Sequence, residues 1–213
     1  MNAVAARIAP SITTMIRMDH AHAFALFHRY KADTSNGRKR ALMTNACLAL
    51  EIHAQLEEEI FYPALRRLIG EDEVLAKSGP EHDEMKLLIG ELRSLLAAAD
   101  HVAVEVDDTF LRLMRAVIHH VADEETHLLP AAERLMKDQL KELGAEMTKR
   151  RLELLKPHAG EIAISAARSF PAGAAAGAVL ITAGVAAIGT MLMARRRAPR
   201  RDSWRSKARR AMR

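Results

Sequence analysis

The chain has 213 residues, of which 49% are hydrophobic and 28% charged, a balance that suits a globular core. The single cysteine, Cys47, excludes an internal disulfide framework and a cysteine-based zinc finger. The net charge of +5 comes from the C-terminus, because residues 171–213 hold ten basic residues and one Asp. The first 170 residues are therefore mildly acidic and carry no nucleic-acid-binding surface of their own.

Helical periodicity dominates most of the chain. The N-terminus lacks a continuous apolar segment, so we expect no secretory signal there. A first helix is predicted from Ser11 to Tyr30, because apolar residues recur along it at helical spacing. After a polar connector at residues 31–40, a second helix is predicted from Ala41 to Ile69, ending near Gly70. Cys47 lies in an apolar stretch of this helix and is predicted to be a small buried hydrophobe.

The second half of the domain is also predicted to be helical. A third helix is predicted from Ser78 to Ala99, with Ser78 as its N-cap and Pro80 in its first turn. A fourth is predicted from Val104 to Met136, and a shorter, charge-rich helix from Asp138 to Leu155. Short connections between long helices imply antiparallel neighbours. We therefore expect an all-α fold, an up-and-down four-helix bundle with an extra C-terminal helix.

Two eleven-residue segments repeat one pattern. Residues 53–63 are HAQLEEEIFYP and residues 120–130 are HVADEETHLLP. In each copy a His is followed by Glu four positions later, by a second Glu directly after it, and by Pro ten positions after the His. Residues four apart share a helical face, so each copy presents one imidazole and one carboxylate together. Helical bundles build metal sites from such inward-facing side chains. The pairs are His53 with Glu57 and His120 with Glu124.

Two further histidines lie on the apolar faces of the first and third helices. His20 has Ile16 four positions before it and Phe24 four positions after it, and His82 is in line with Met85. One His–Glu pair is usually a surface contact, but two copies in one frame with two apolar-face histidines are hard to explain as solvated charge. Imidazole with carboxylate suits iron, zinc or manganese. Carboxylates can also bridge two metals. Six ligands shared between two metals would leave coordination positions open for a bridging oxygen and an exogenous ligand.

The pattern resembles the hemerythrin-like, or HHE cation-binding, family over residues 10–150. The matching elements are Asp19-His20, His53-x3-Glu57-Glu58 with Pro63, Glu81-His82, and His120-x3-Glu124-Glu125 with Pro130. The resemblance implies an oxo- or hydroxo-bridged di-iron site in which the two glutamates bridge, with the ligands His20, His53, Glu57, His82, His120 and Glu124. The animal oxygen carriers have a further histidine one turn after the third-helix ligand, where this chain has Lys86. Oxygen binding or sensing is therefore favoured over bulk transport.

The fourth predicted helix contains two histidines besides the predicted ligand His120. His119 precedes Asp123 at the same spacing that separates His120 from its glutamate, so it competes for the inward position. The repeat, in which a proline follows ten positions after the histidine, favours His120 as the ligand. His127 lies seven positions after His120 and is predicted to be a core residue or an outer partner of the site.

Three more side chains near the repeats have two interpretations. Glu58 and Glu125 are interpreted either as partners that orient the ligand histidines or as solvated residues. Tyr62 is predicted to pack in the core rather than to hydrogen-bond at the site. The sequence leaves these alternatives open.

Residues 171–194 carry no charge over 24 positions, which is long enough to span a bilayer, and a GxxxG motif at Gly173 suits close helix packing and homo-oligomers. We expect a transmembrane tail anchor in the inner membrane, with the metal domain in the cytoplasm and the basic end at anionic lipid. A hairpin insertion and a soluble cytoplasmic protein are the alternatives. The expected division is a bundle at 1–156, a linker at 157–170, the anchor at 171–194 and a basic tail at 195–213.

The sequence supports three functional hypotheses. The first is a membrane-tethered di-iron protein that binds oxygen or a related small oxidant for sensing, or for metal and redox handling. The second is a di-iron redox enzyme that removes peroxide or nitric oxide. The third is a structural module in which the metal only holds the bundle together. The sequence contains no separate catalytic acid, nucleophile or electron-transfer motif, so it does not favour the enzyme.

Overall fold

The computed structural model describes residues 10–70, 72–98 and 103–160, which are mostly helical and contain no strand. The helices are α1 (Ile12–Arg29), α2 (Asn36–Leu56), π1 (Glu57–Phe61), α3 (Tyr62–Ile69), α4 (Glu73–Ala97), α5 (Ala103–Asp123), π2 (Glu124–Leu128), α6 (Leu129–Leu135) and α7 (Leu140–Leu155), followed by a 3-10 turn at Lys156–His158. Because α2, π1 and α3 follow one another without a break, as do α5, π2 and α6, the described residues form four long helical rods and one extra helix, α7. The predicted all-α bundle with an extra helix is confirmed.

Local capping signals mark the start of the first rod and the end of the second. Ser11 caps α1, since its Oγ accepts a hydrogen bond from the backbone N–H of Thr14 at 3.1 Å. Helix α2 begins at Asn36, before the predicted start at Ala41, because its polar first turn is exposed and needs no apolar contact. The rod ends at Gly70, whose φ of 65° is a left-handed conformation that favours glycine.

The predicted start of the third rod was wrong. Asp72, not Ser78, is the N-cap of α4, because its carboxylate accepts hydrogen bonds from the N–H groups of Val74 and Leu75 at 2.9 and 3.0 Å. Ser78 is buried inside the helix, where its Oγ donates to the carbonyl of Val74 at 3.2 Å. Pro80 also lies inside the helix. The carboxylate cap satisfies the first N–H groups of the helix, so the helix begins before the proline.

Each copy of the repeated segment contains one π-helical turn. The turn π1 begins at Glu57 and π2 begins at Glu124, and a proline follows each turn, at Pro63 and Pro130. Proline has no N–H and its ring clashes with the carbonyl four residues earlier, so a wider turn relieves the clash. The repeat in sequence is therefore also a repeat in backbone conformation, and π turns of this kind are common at functional sites.

The core consists of two apolar clusters separated by a polar layer. On α1, Ile16 belongs to the first cluster, Ala23 to the second, and His20 lies between them. Cys47 is fully buried in the second cluster, as predicted. Because both clusters exclude water, polar groups in the layer between them are costly unless they find partners.

Helix α7 packs against α1, α2 and π1. Gly144 allows a close approach, because a Cβ atom there would lie 2.1 Å from the carbonyl oxygen of Pro10. Two adjacent arginines of α7 hold the contact: Arg150 Nε donates to Glu59 of π1 at 2.6 Å, and Arg151 Nη1 donates to Asp19 of α1 at 2.7 Å. The extra helix is therefore fixed to both rods that carry the first repeat and His20.

Among the described residues, no helix has both the length and the apolar character needed to cross a membrane. The predicted anchor at 171–194 and the basic tail at 195–213 lie outside the described residues, as does most of the predicted linker. The tail anchor and its orientation stay predictions.

Candidate metal centre

Six side chains from the four rods meet in the polar layer between the two apolar clusters. None of them is more than 5% exposed. Their potential ligand atoms form two groups, within each of which all atoms lie within 4.8 Å of one another. Glu57 belongs to both groups, so the two groups share a carboxylate. The first group is His20, His53, Glu57 and Glu124, and the second is Glu57, His82 and His120.

The two glutamates lie between histidines of different rods. Glu57 Oε2 is 3.2 Å from His53 Nε2 and 3.4 Å from His82 Nε2. Glu124 Oε2 is 3.2 Å from His20 Nε2 and 3.7 Å from His120 Nε2. Each carboxylate therefore lies within 3.7 Å of one imidazole from each of the two groups.

Four further carboxylates, which we call the carboxylate ring, lie around the histidines. Each of them forms a hydrogen bond with Nδ1 of the histidine on the next rod. An Nδ1–H that donates to a carboxylate leaves Nε2 with its lone pair directed at the centre. Asp19 and Glu81 were not predicted as such partners, and Glu58 and Glu125 take the orienting role rather than the solvated one. In this carboxylate ring, Asp19 of α1 holds His53 (3.4 Å), Glu58 of π1 holds His82 (2.9 Å), Glu81 of α4 holds His120 (2.8 Å) and Glu125 of π2 holds His20 (2.9 Å).

The carboxylate ring is paired on its outer side with basic groups. Lys86, at the position where oxygen carriers have a histidine, is 44% exposed in its side chain and does not enter the centre, because its Nζ donates to Glu58 at 2.6 Å. The other outer pairs are Arg151 with Asp19 (2.7 Å), Arg17 with Glu125 (3.0 Å) and His119 with Glu81 (3.5 Å).

The donors at the centre fit bound metal cations. Four buried atoms there make no hydrogen bond, which is costly for groups removed from water. His82 Nε2 and His120 Nε2 are 3.1 Å apart, so their lone pairs would repel one another without a proton or a cation between them. A cation between the donors would satisfy all of them. The unpartnered atoms are His20 Nε2, His53 Nε2, Glu57 Oε1 and Glu124 Oε2.

The family model described as the hemerythrin HHE cation binding domain matches residues 11–132. The chain belongs to this family. The match ends within α6, so it covers both repeats. Membership of the HHE family implies that the chain binds metal, with iron as the metal.

A curated relative of this HHE chain is called a DNA nickase, from Nostoc sp. (strain PCC 7120 / SAG 25.82 / UTEX 2576). It is 29% identical over 121 residues, which is 57% of this chain and 33% of the relative. The chain thus matches only a third of the relative's length. No solved structure matches the chain.

The charges at the HHE centre shift the acid–base behaviour of its groups. Burial raises the pKa of Glu57, but the charge of His53 and hydrogen bonds from His120 and His82 outweigh it and bring the pKa well below its usual value. Burial lowers the pKa of His120, but hydrogen bonding to Glu57 and the charge of Glu124 outweigh burial and raise it to about 9. Without metal, the centre therefore holds a proton on His120 at neutral pH.

The raised pKa of His120 predicts how the metal-free protein responds to pH. The folded state binds this proton more tightly than the unfolded state, so its stabilisation is complete below pH 6.5 and is lost as pH rises through about 9. We expect the free energy of unfolding of the metal-free protein to fall between pH 6.5 and pH 9, as measured by urea unfolding. His120→Gln should show a smaller fall over this interval. A wild-type stability that rises across the interval would contradict the prediction.

Tyr62 packs in the first apolar cluster, as predicted, and also takes part in the centre, which is the alternative that the sequence left open. Its side chain is buried, and its Oη donates to Glu124 Oε1 at 2.9 Å and lies 3.3 Å from both Glu57 Oε2 and His82 Nε2. Burial and the two carboxylates raise the pKa of Tyr62 well above 10, so the phenol keeps its proton and acts as a donor. Tyr62 follows Glu57 by five positions, a spacing that faces the centre only across a π turn.

The histidines of the last rod differ sharply in exposure. The side chain of His120 is 1% exposed and that of His119 is 73% exposed, so His120 faces inward, as the repeat predicted. His127 is exposed and lies 2.9 Å from Thr126 Oγ1, so its prediction as a core residue or outer partner was wrong. Ile60, the equivalent position in the first repeat, is buried because α7 packs over π1.

Proposed function

We propose that the chain binds two iron ions in this centre and uses them to bind oxygen or a related small oxidant, for sensing or for iron and redox handling. The observation that carries the proposal is the sharing of Glu57 between the two donor groups, which suits a bridged metal pair. The four imidazoles and two carboxylates match the donor types that iron accepts. The six protein donors do not fill the coordination of two irons, which leaves positions for a small ligand.

Each set of residues has a distinct role in this proposal. The Nε2 atoms of the four histidines would hold the metals together with Glu57 and Glu124. The carboxylate ring fixes the orientation and basicity of the imidazoles. A bound iron pair would supply reversible one-electron changes. The Tyr62 phenol donates a hydrogen bond to Glu124 Oε1 at 2.9 Å and lies 3.3 Å from His82 Nε2, so it contacts the centre directly.

A route from the centre to α7 favours sensing. Asp19 holds His53 on one side and Arg151 of α7 on the other, and its pKa is lowered because these two partners outweigh its burial. Any change in the charge or position of His53 therefore acts on the salt bridge that fixes α7. A partner that contacts α7 would be able to detect the state of the centre.

The proposal is tested by loading the protein with ferrous iron under anaerobic conditions and then admitting oxygen. We expect about two irons per chain and new near-ultraviolet charge-transfer absorption from an oxygen-bridged ferric pair. Iron that binds without any spectral response to oxygen or peroxide would leave only the structural role. Peroxide consumption far beyond one equivalent per site would identify an enzyme instead.

Replacing Tyr62 with phenylalanine is expected to keep the iron but alter its reaction with oxygen. The substitution removes a buried hydroxyl that donates to Glu124, while the ring and its packing stay. We expect unchanged iron content and a changed rate of formation or decay of the charge-transfer bands, measured by stopped-flow absorption. Phe61→Leu, at a buried neighbour in the apolar cluster, is the control for packing. Identical kinetics in Tyr62→Phe and wild type would exclude a role for the phenol.

The relative described as a DNA nickase suggests a second candidate function. Two-metal sites can cleave phosphodiesters, and the basic residues of 195–213 would favour contact with DNA. Nicking of supercoiled plasmid by the full chain, lost when His53 and His120 are both replaced with alanine, would support it. An intact plasmid would exclude it.

A further inference from the structure

Each carboxylate of the carboxylate ring, together with its partner on the outer side, forms one of four corners. The partner at one corner differs in kind from the other three. Three members of the ring are paired on the outer side with an arginine or a lysine. At the fourth corner, Glu81 Oε1 lies 3.5 Å from Nδ1 of His119. An imidazole, unlike a guanidinium or an ammonium, can also bind a metal ion through a ring nitrogen. The other three corners are Asp19 with Arg151, Glu58 with Lys86 and Glu125 with Arg17.

A second carboxylate lies at the Glu81 corner, where no arginine or lysine of the described residues forms an ion pair with Glu81. Asp123 follows His119 by four positions on α5, so both side chains project from the same face of the helix. Potential ligand atoms of Glu81, His119 and Asp123 all lie within 4.8 Å of one another. The side chain of His119 is 73% exposed, so solvent ions reach this group directly. Two carboxylates with one imidazole form a donor set that suits a divalent transition-metal ion completed by water.

We propose that Glu81, His119 and Asp123 bind one divalent transition-metal ion at the surface of the bundle. The ion is the counter-charge that arginine or lysine supplies at the other three corners. Glu81 is already oriented for this role, because its second oxygen, Oε2, accepts a hydrogen bond from His120 Nδ1 at 2.8 Å. The ion therefore lies one carboxylate away from the buried centre. Its binding withdraws charge from Glu81 and so changes how strongly Glu81 holds the buried imidazole.

The test uses zinc as the probe and the iron-loaded full chain as the protein. Wild-type protein is dialysed to equilibrium against micromolar zinc, and both metals are measured by elemental analysis. We expect one zinc per chain in addition to the iron. His119→Ala with Asp123→Asn should lose this zinc and keep its iron, because Glu81 and its bond to His120 remain. His127→Ala is the matched control, since it removes an exposed histidine from the same rod.

Acylation of His119 by diethyl pyrocarbonate gives a second measurement, because zinc bound to the imidazole should slow it in the wild type. Equal zinc in the wild type and the His119/Asp123 variant, or acylation that zinc does not slow, would overturn the proposal. So would zinc that is lost only when His20 and His53 are replaced with alanine, because it would then occupy the buried centre. The iron measured in the same samples reports the buried centre separately. A chain that takes no iron but still binds zinc through His119 would contradict only the proposed function.

Discussion

Replacing His53 and His120 together with alanine is expected to abolish iron binding by the bundle. His53 belongs to one donor group and His120 to the other, so each half of the centre loses an imidazole. Loss of an outer partner alone lowers metal affinity by about 10–100-fold at comparable sites, and loss of a direct donor should cost more. The measurement is iron per chain after anaerobic loading and desalting, which should fall below about a tenth of the wild-type value.

The control for this experiment removes two histidines that do not reach the centre. His28 and His127 are both exposed, and His28→Ala with His127→Ala should retain the wild-type iron content. Far-ultraviolet circular dichroism checks that both double variants stay helical. Full iron in the His53/His120 variant would show that the donors are assigned wrongly. Zinc alone in wild-type protein purified without oxygen would exclude the redox functions.

The meeting of six buried histidine and glutamate side chains could be predicted because the signals for it are local. A histidine and a glutamate four positions apart share a helical face whatever the helix packs against, and an apolar stripe marks which face is inward. The carboxylate ring also leaves a local trace. In each rod an acidic residue directly precedes or follows a predicted donor, as Asp19 precedes His20 and Glu58 follows Glu57. On a helix this neighbour points about 100° away, toward the next rod.

Which imidazole each ring carboxylate holds depends on the order of the rods around the bundle. Asp19 of α1 reaches His53 only because α1 packs beside α2, and that order is a property of tertiary packing rather than of any one helix. The sequence therefore indicated that Glu58 and Glu125 had a possible orienting role without deciding it. For the same reason Asp19 and Glu81 were missed.

The other misses arose where two local signals competed. Pro80 favoured a helix start at Ser78, but Asp72 caps the helix earlier, and the proline is accommodated inside it. The π turns could not be predicted from α-helical spacing, and π1 brings Tyr62 to face the centre five positions after Glu57. A period of 3.6 residues does not place positions five apart on one face, so the sequence left the role of Tyr62 open.

Replacing Gly144 with alanine is expected to destabilise the protein and to disturb the metal centre from a distance. The added Cβ would lie 2.1 Å from the carbonyl oxygen of Pro10 and 3.0 Å from the backbone nitrogen of Ile12, and these backbone atoms cannot rotate away. Helix α7 must therefore move off the start of α1. Overpacking of this kind costs about 1–3 kcal/mol, measured as the free energy of unfolding in urea.

Gly90→Ala is the matched control, because Gly90 lies inside α4 and an added Cβ there meets nothing within 4 Å. This substitution should stabilise the protein by about 0.5–1 kcal/mol, since alanine is the better helix former. Displacement of α7 also strains the Arg151–Asp19 salt bridge, and Asp19 holds His53. We therefore expect Gly144→Ala, but not Gly90→Ala, to bind iron more weakly. An unchanged iron affinity in a destabilised Gly144→Ala protein would show that α7 stabilises the bundle without acting on the centre.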